Sequence, residues 1–160
     1  MNGDDLVQKI VIREYEPSDV EELALLMGDL GYPTTAGQMK ARMEQFGRSS
    51  SSHTWIADLE GRVAGMAGCK DVLYYESDGF AVQISAFVVK KEYQGRGIGR
   101  ELIRFVEKWA AERAAHTLFL TSGLKPERVL AHDFYQKNGF EVTGHRFVKR
   151  LGEPQEVPQV

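Results

Sequence analysis

Three glycines at alternate positions in residues 94–100 constrain the fold of this chain more than any other feature. The stretch reads Gln-Gly-Arg-Gly-Ile-Gly-Arg; it follows the apolar run 86–89 and precedes apolar residues that recur at helical spacing. Glycine lets the backbone turn tightly, so that successive N–H groups at a helix N-terminus can point at one anion. We therefore expect a buried strand, a phosphate-binding turn and an amphipathic helix, in that order.

The turn carries a local surplus of positive charge. Residues 90–108 contain six Lys and Arg but only three Glu, within a chain of net charge -3. Arg96 and Arg100 would add two donors to the backbone amides, which suits a phosphate or pyrophosphate. The stretch lacks both the Gly-Lys-Ser/Thr of a Walker A loop and the G-x-G-x-x-G spacing of a dinucleotide fingerprint. A glycine-rich turn without a ligand is the alternative.

Length and composition narrow the class of protein. With 160 residues and 18.0 kDa the chain fits one domain, and its pI ≈ 5.8 argues against bulk binding to nucleic acid or anionic membrane. No apolar run approaches the roughly 18 residues of a spanning helix, and the polar residues 1–5 are unlike a secretory signal. Cys69 is the single cysteine, which excludes an internal disulfide and a cysteine cluster for zinc. We expect a cytoplasmic enzyme or binding domain without a metal.

Apolar periodicity predicts alternating strands and helices. Strands are predicted at 7–15, 54–59, 62–75, 80–89 and 117–121, with one or two more in 140–151, and helices at 20–30, at 35–46, from 97 and after Pro126. Glu60-Gly61 predicts a hairpin turn, and Leu130, Phe134 and Tyr135 are candidates for the inward face of the last helix. The order predicts a single domain over residues 1–151, in which one mixed sheet has helices on both faces. Residues 152–160 are expected to be a flexible tail, either loose or packed on a partner subunit.

The stretch 88–99 resembles motif A of the GNAT superfamily of N-acetyltransferases. That motif has Gln or Arg, two residues, Gly, one residue, then Gly or Ala, and Gln94, Gly97 and Gly99 occupy those positions. Residues 131–140 resemble motif B, with its Phe-Tyr, three residues and Gly-Phe. The motifs occur on consecutive strand–helix units in the family's order, and residues 30–33 are similar to the family's acceptor-side region. The resemblance covers roughly residues 7–150.

The resemblance implies a fold, a co-substrate and a reaction. The fold would be α/β (α+β), with a mixed, mostly antiparallel sheet of six to seven strands, and acetyl-CoA would donate its acetyl group to a primary amine. Residues 94–100 would hold the pyrophosphate, backbone groups of 87–89 would pair with the pantetheine arm, and a backbone N–H near Val88 would stabilise the oxyanion. The thioester would lie where strands 80–89 and 117–122 splay apart. The residues expected to bind acetyl-CoA are Phe87, Val88, Val89, Gln94, Gly95, Arg96, Gly97, Ile98, Gly99, Arg100, Ser122, Tyr135 and Lys137.

The resemblance also names candidates for the chemistry. Tyr135 is the candidate general acid, because a phenol at this place can protonate the leaving thiolate; the alternative is a core aromatic residue with a satisfied hydroxyl. Many relatives carry a glutamate base at the position of Ser85, which is itself a poor base. Either a water relay takes the proton of the amine, or Glu76, Asp78 or His53 approaches from elsewhere.

Three further polar residues have two interpretations each. Ser122 either bonds the pantetheine arm or caps a turn, and Lys137 either reaches a phosphate or is an exposed helix lysine. Arg128 lies seven residues before Tyr135, where relatives often have asparagine. It either replaces that polar contact to the cofactor or is a solvated helix residue.

Two classes of function fit these expectations. One is an N-acetyltransferase for a small-molecule or peptide amine; the other is a non-catalytic acyl-CoA-binding or sensor domain. Tyr135 favours the first, and the missing base favours the second. The carboxylates of Asp71, Glu76 and Asp78 would suit a cationic acceptor. We expect neither nucleic acid nor a membrane as a partner, and a homodimer is common in the family.

Overall fold

The computed structural model describes residues 9–124, 126–152, 158 and 160. Its strands form one sheet in which each strand neighbours the next along the chain. They are β1 (Ile10–Glu14), β2 (Ser52–Leu59), β3 (Arg62–Leu73), β4 (Phe80–Val89) and β5 (Thr117–Leu120). The first four run antiparallel, and β5 pairs with β4 in parallel. The sheet is therefore mixed and mostly antiparallel, as expected.

The helices lie close to their predicted positions. They are α1 (Val20–Leu30), α2 (Ala36–Gly47), α3 (Ile98–Glu112) and α4 (Val129–Lys137), and short 3-10 turns precede α1, α3 and α4. Thr35 and Gln38 form a capping box at the start of α2, which satisfies two backbone donors there. Gly31, with φ +106°, ends α1 in the left-handed conformation that favours glycine.

Helices cover both faces of the sheet. Apolar residues of α1 and α2 pack with Ile56, Met66 and Val88 on one face. Apolar residues of α3 and α4 pack with Cys69, Phe87 and neighbouring strand residues on the other. Because side chains alternate across a strand, the apolar run at the end of β4 supplies both layers. The predicted burial of this run on both faces is confirmed, since Phe87 and Val88 are each less than a tenth exposed.

A β-bulge in β4 makes this arrangement possible. Gly68 of β3 is paired with Ala86, whereas the next residue, Cys69, is paired with Ile84. Ser85 is therefore the extra residue of the bulge. Ile84 and Phe87 face the same side of the sheet although they are three positions apart.

The predicted hairpin between β2 and β3 is confirmed. Leu59 pairs with Arg62, and the two residues between them, Glu60 and Gly61, have φ angles of 51° and 87°. Positive φ at both central positions is the requirement of a type I′ turn, whose twist matches that of the strands it joins.

The prediction of strands in residues 140–151 is wrong, and the sheet of the described residues has five strands rather than six to seven. Residues 141–150 have no strand assignment and are all exposed, including Val142 at 81% and Phe147 at 92%. Alternating apolar residues stabilise a strand only when one face is buried, and here nothing covers that face. Leu130 likewise is 83% exposed, although Phe134 and Tyr135 face inward as predicted.

The described part of the tail includes one buried side chain. Val160 is 3% exposed, packs in the layer beneath α3 and α4, and donates its N–H to the carbonyl of Thr121 at 3.1 Å. Residues 1–8, 125, 153–157 and 159 lie outside the described residues. Among the helices that are described, none combines the length and the apolar character needed to cross a membrane.

Candidate functional site

The glycine turn, residues 94–100, connects the end of β4 to α3 and adopts a conformation that requires glycine. Gly95 has φ +77° and Gly97, the N-cap of α3, has φ +87°. Side-chain-bearing residues enter this region only with strain, so these two glycines set the path of the chain. Gln94 holds the turn against the strand by donating from Nε2 to the carbonyl of Val89 at 3.1 Å.

The third glycine of the turn, Gly99, is needed for close packing of two helices. A Cβ atom on Gly99 would lie 3.2 Å from the Phe134 ring. Gly99 therefore allows α4 to approach the first turn of α3 closely. The contact joins the two sequence motifs in space, because Phe134 belongs to the second motif and stacks on Phe87, with ring centroids 5.8 Å apart.

The turn presents donors that nothing in the described structure satisfies. The first backbone hydrogen bond of α3 runs from the N–H of Glu101 to the carbonyl of Gly97, which leaves the three preceding N–H groups without an intrahelical acceptor. Arg96 and Arg100 are exposed and have no ion pair with a described residue, whereas Arg104, one turn later, pairs with Glu101 at 3.4 Å. Unsatisfied amides and unpaired guanidinium groups together favour an anionic ligand.

The strands β4 and β5 separate beside this turn. Their parallel pairing covers Ala81–Ile84 and Thr117–Leu120 and continues no further. A cavity of 230 Å³ lies where they part, lined by Gln83, Ile84, Ser85, Thr121, Arg146, Pro158 and Val160. Val160 thus occupies part of the gap in which the family resemblance places the thioester.

A buried hydroxyl without a partner lies just past the end of β5. The Oγ atom of Ser122 is shielded from solvent and makes no hydrogen bond with any described residue. Such an orphaned group is costly unless a ligand or water satisfies it. The loop that carries it is held in place from α4, since the distance from His132 Nε2 to the Gly123 carbonyl is 2.6 Å.

Tyr135 lies on α4 and is 5% exposed. Its ring packs edge-on against Phe87, Phe134 and Phe140, with centroid distances of 6.2, 5.5 and 5.9 Å. Burial raises the pKa of the phenol to about 12, and the positive charge of Arg128 opposes this shift. The phenol is therefore protonated at neutral pH and able to donate a proton.

Arg128 crosses from the start of α4 to the end of α1. Its Nη2 atom donates to the carbonyl of Leu30 at 2.9 Å, although 98 positions separate the two residues. The side chain is half-buried. It is therefore not the solvated helix residue that one interpretation of the sequence described.

The candidate bases lie apart from one another. Ser85 is exposed, and its hydroxyl donates to the Gly68 carbonyl at 3.4 Å. Glu76 and Asp78 are exposed in the β3–β4 loop, which rejoins the sheet about 16 Å along β4 from Ser85 at the usual rise per residue. His53 is two strands away from β4, about 10 Å at the usual spacing, and faces Trp109 of α3. The structure brings none of these three candidates to Ser85.

Two other expected charges are engaged elsewhere. Arg113 binds Asp71 with both Nη atoms, at 2.9 and 2.7 Å, and this pairing holds the pKa of the Asp71 carboxyl below its usual range. Asp71 is thus not free to attract a cationic acceptor. Lys137 pairs with Asp133 at 2.8 Å on the exposed side of α4. The sequence gives no signal for the Asp71–Arg113 pair, because 42 positions separate the two residues.

A larger groove lies elsewhere in the described structure. It has a volume of 840 Å³, lies between α2 and the edge formed by β1 and β2, and is lined by residues that include Tyr15, Met43 and His53. It contains no residue of the glycine turn and no residue of α4.

Comparison with known sequences agrees with both motifs. The sequence model described as the acetyltransferase (GNAT) family matches residues 20–140. N-acetyltransferase family 8 member 2 from Rattus norvegicus is 30% identical over 100 residues, which are 61% of this chain and 43% of that protein. Aminoalkylphosphonate N-acetyltransferase from Salmonella typhimurium is 28% identical over 99 residues, which are 62% of this chain and 63% of that protein. The aligned residues thus span less than two thirds of either relative.

Comparison with solved structures gives the same fold. The aminoglycoside N-acetyltransferase AAC(6')-Iy, crystallised in complex with CoA, superimposes with a TM-score of 0.74 at 20% identity. The match covers 89% of this chain and 95% of that one. The family model matches most of the chain, and the glycine turn after β4 and the separation of β4 from β5 agree with it. The chain therefore belongs to the GNAT family of acetyltransferases.

Proposed function

We propose that this protein transfers the acetyl group of acetyl-CoA to a primary amine, with Tyr135 as the general acid. The observation that carries the proposal is the glycine turn, where three N–H groups without intrahelical acceptors and two unpaired guanidinium groups meet at one place. That place adjoins the gap between β4 and β5, and Tyr135 lies on the helix that follows this gap. A pyrophosphate at the turn and a reacting thioester near Tyr135 are compatible with these positions.

The residues present fit acetyl-CoA at both ends. Arg96, Arg100 and the amides of the glycine turn would hold the pyrophosphate. Edge groups of 87–89 would pair with the pantetheine arm, because no described strand pairs with β4 beyond Ile84 on the β5 side. The orphaned hydroxyl of Ser122 would gain a hydrogen-bond partner from the same arm. Lys137, which pairs with Asp133, could still release its ammonium to a phosphate, because both side chains are exposed.

The proposed chemistry is a direct attack of a neutral amine on the thioester carbonyl. The C–N bond forms, the C–S bond breaks, and the electron pair of that bond leaves with sulfur. Tyr135 donates its proton to this sulfur, and a backbone N–H near Val88 stabilises the negative charge that develops on the carbonyl oxygen. The amine loses its proton to water near Ser85, because Glu76, Asp78 and His53 do not reach that position. Solvent then returns the proton to Tyr135.

The acceptor is an amine, but the relatives do not agree on its kind. The names of similar proteins mention an aminoalkylphosphonate and an aminoglycoside, which differ in the sign of their charge near the amine. A small-molecule or peptide amine therefore remains the appropriate substrate class for this chain.

The alternative function is a non-catalytic acyl-CoA-binding or sensor domain. It is favoured by Ser85, since a serine stands where a carboxylate base would be expected and no candidate carboxylate lies nearby. Both functions predict acetyl-CoA binding, but only the first predicts turnover.

One experiment separates these possibilities. Thermal unfolding of the protein is measured with acetyl-CoA, CoA or ADP, and the release of free CoA is measured with a panel of primary amines. We expect acetyl-CoA to raise the unfolding temperature more than ADP, and at least one amine to release CoA faster than buffer does. Binding without amine-dependent release would favour the sensor domain. Equal shifts with acetyl-CoA and ADP would indicate a general phosphate-binding turn and contradict both functions.

A further inference from the structure

The arginines of the described structure differ in how their charge is balanced. Three of them are half-buried: Arg13, Arg113 and Arg128. Arg13 binds both oxygens of Asp19 and one of Asp58, each at 2.8 Å. Arg113 binds both oxygens of Asp71. Arg128 has only the carbonyl of Leu30, and no carboxylate of a described residue lies within 4.0 Å of it.

This difference matters because a partly desolvated cation without an anion is unfavourable. The two balanced arginines are structural. Arg13 on β1 binds Asp58 on the adjacent β2 and Asp19 before α1, and Arg113 joins the end of α3 to Asp71 on β3. Arg128 has five N–H groups, and among the described residues only the carbonyl of Leu30 accepts from them. Nearby carboxylates do not balance it: Asp133 pairs with Lys137, and Asp29 accepts the N–H of Lys91.

The position of Arg128 indicates what would balance it. Its guanidinium lies between the end of α1 and the helix that carries Tyr135. The helix α1 covers the face of the sheet opposite to α3 and α4. The charge of the guanidinium also acts on the Tyr135 phenol, so the two groups lie near each other. The glycine turn, where the phosphates of acetyl-CoA would bind, lies on the other element of the site, at the start of α3.

We propose that Arg128 binds an anionic group of the acceptor, so that the amines acetylated by this protein carry a carboxylate or a phosphonate close to the amino group. The inference rests on the proposed acetyl transfer and adds the substrate class. A planar guanidinium binds either anion through paired N–H groups, which also orients the attached amine. Arg128 would then be a specificity residue that positions the acceptor and takes no part in proton transfer.

The test compares amines that differ only in the anion. L-Phenylalanine is paired with 2-phenylethylamine, and 1-aminoethylphosphonate is paired with ethylamine, and kcat/KM is measured by CoA release. We expect the anionic member of at least one pair to be preferred by about 10- to 100-fold, the range for hydrogen bonds to charged groups. Arg128→Gln should reduce that preference to within about threefold of unity, because the anionic amine loses more of its rate than the neutral amine does.

Two variants control for folding and for general charge effects. Arg128→Lys keeps the charge but loses the planar pair of donors, so we expect an intermediate preference. Arg42→Gln removes another arginine with a neutral partner, the hydroxyl of Thr34 in the α1–α2 loop, and should leave the preference unchanged. Thermal unfolding of each variant, and calorimetric binding of L-phenylalanine to the CoA-loaded protein, give readouts that do not depend on turnover.

Three results would overturn the inference. The wild-type protein could show no preference within either pair, Arg128→Gln could reduce both members of a pair equally, or the CoA-loaded protein could neither bind nor acetylate any of the anionic amines. Turnover of neutral amines without a charge preference would leave the acetyltransferase proposal intact and remove only the anionic acceptor. Absence of both acetyl-CoA binding and amine-dependent CoA release would remove the proposed function itself.

Discussion

The donor end and the acceptor end of the proposed site are built differently. At the glycine turn, the amides and guanidinium groups proposed to hold the pyrophosphate all come from residues 94–100, and the local conformation depends on the glycines themselves. At the other end, Arg128 meets Leu30 and lies near Tyr135 only because α1 and α4 pack on the same sheet. A consecutive stretch can therefore be damaged by one backbone change, whereas the assembled end depends on side chains that can be replaced without altering the fold. The following variants test whether the two ends are in fact separable.

The largest effect is expected at the assembled end. Tyr135→Phe should lower kcat by about 100- to 1,000-fold, because it removes a general acid but keeps the buried ring. The dissociation constant for acetyl-CoA, measured by calorimetry, should change less than about threefold. Because the pKa of Tyr135 is raised to about 12, the wild-type kcat should show no fall up to pH 10 from loss of this proton. Unchanged kcat in the variant would assign Tyr135 to the core alone.

The next effect concerns the contrast between balanced and unbalanced arginines. Arg13→Met should lower the free energy of unfolding by about 2–3 kcal/mol, because Asp19 is 5% exposed and would lose its partner. Arg128→Met should cost about 1 kcal/mol or less, since only a bond to a neutral carbonyl is lost. Urea denaturation measures both. Equal losses would mean that Arg128 is as structural as Arg13.

The Arg13 pairing should also be visible in the pH dependence of stability. Hydrogen bonding from Arg13 lowers the pKa of the Asp19 carboxyl below its usual value. The stabilisation is therefore complete above pH 3.8 and is lost as the pH falls through the lower pKa of the folded state. The difference in unfolding free energy between wild type and Arg13→Met should shrink over that acidic range. A difference that stays constant on acidification would contradict the assignment.

A smaller effect is expected at the glycine turn, where Gly61 offers a matched control. Gly97 and Gly61 both have φ +87°, so alanine at either position should cost about 1–2 kcal/mol of stability. Only Gly97→Ala should also weaken acetyl-CoA binding, by about tenfold, because the amides that follow it would no longer point at one anion. If Gly61→Ala weakened binding as much, the effect would be one of overall stability.

The smallest effect is expected for Val160, which lies in the gap between β4 and β5. If the pantetheine arm must displace this side chain, Val160→Gly should strengthen acetyl-CoA binding by about two- to fivefold, since less apolar surface has to be exposed. Val142→Gly, which changes a valine that is 81% exposed, is the control and should have no effect. Weaker binding in Val160→Gly would mean that Val160 supports the site.

The sequence predictions succeeded for features that are built from neighbouring residues and missed features that are assembled from distant ones. The glycine turn and the hairpin at Glu60-Gly61 were predictable, because each depends on neighbouring residues and their backbone requirements. The contact between Arg128 and Leu30 was not, since 98 positions separate the two residues. The prediction of strands in 140–151 was wrong for a related reason. Alternation of apolar residues indicates a strand only if another element covers one face of that strand.

The charged residues near the site show most clearly what could not be predicted from the sequence. Asp71 was a candidate for attracting a cationic acceptor as long as its partner was unknown, and the structure gives it Arg113. The general base could not be assigned from the sequence either. The sequence contains candidate carboxylates and a histidine, but it does not indicate where on the sheet they lie. Folding places them away from Ser85, so water is the remaining proposal for that role.

The bulge at Ser85 has a consequence for how this strand can change in length. Ile84 and Phe87 share a face only because one additional residue lies between them, so the two halves of β4 are out of phase by one position. If Ser85 took a regular place in the ladder instead, Val88 would turn to the side now filled by Phe87, and the aromatic ring would move away from Phe134. Deleting Ser85 would keep Ile84 opposite Cys69 and Ala86 opposite Gly68, so it would remove the bulge without changing the face of either residue. Insertions and deletions should therefore be accepted in the exposed loop at 74–79. Between 84 and 87, only loss of the bulge residue itself keeps both faces of the strand.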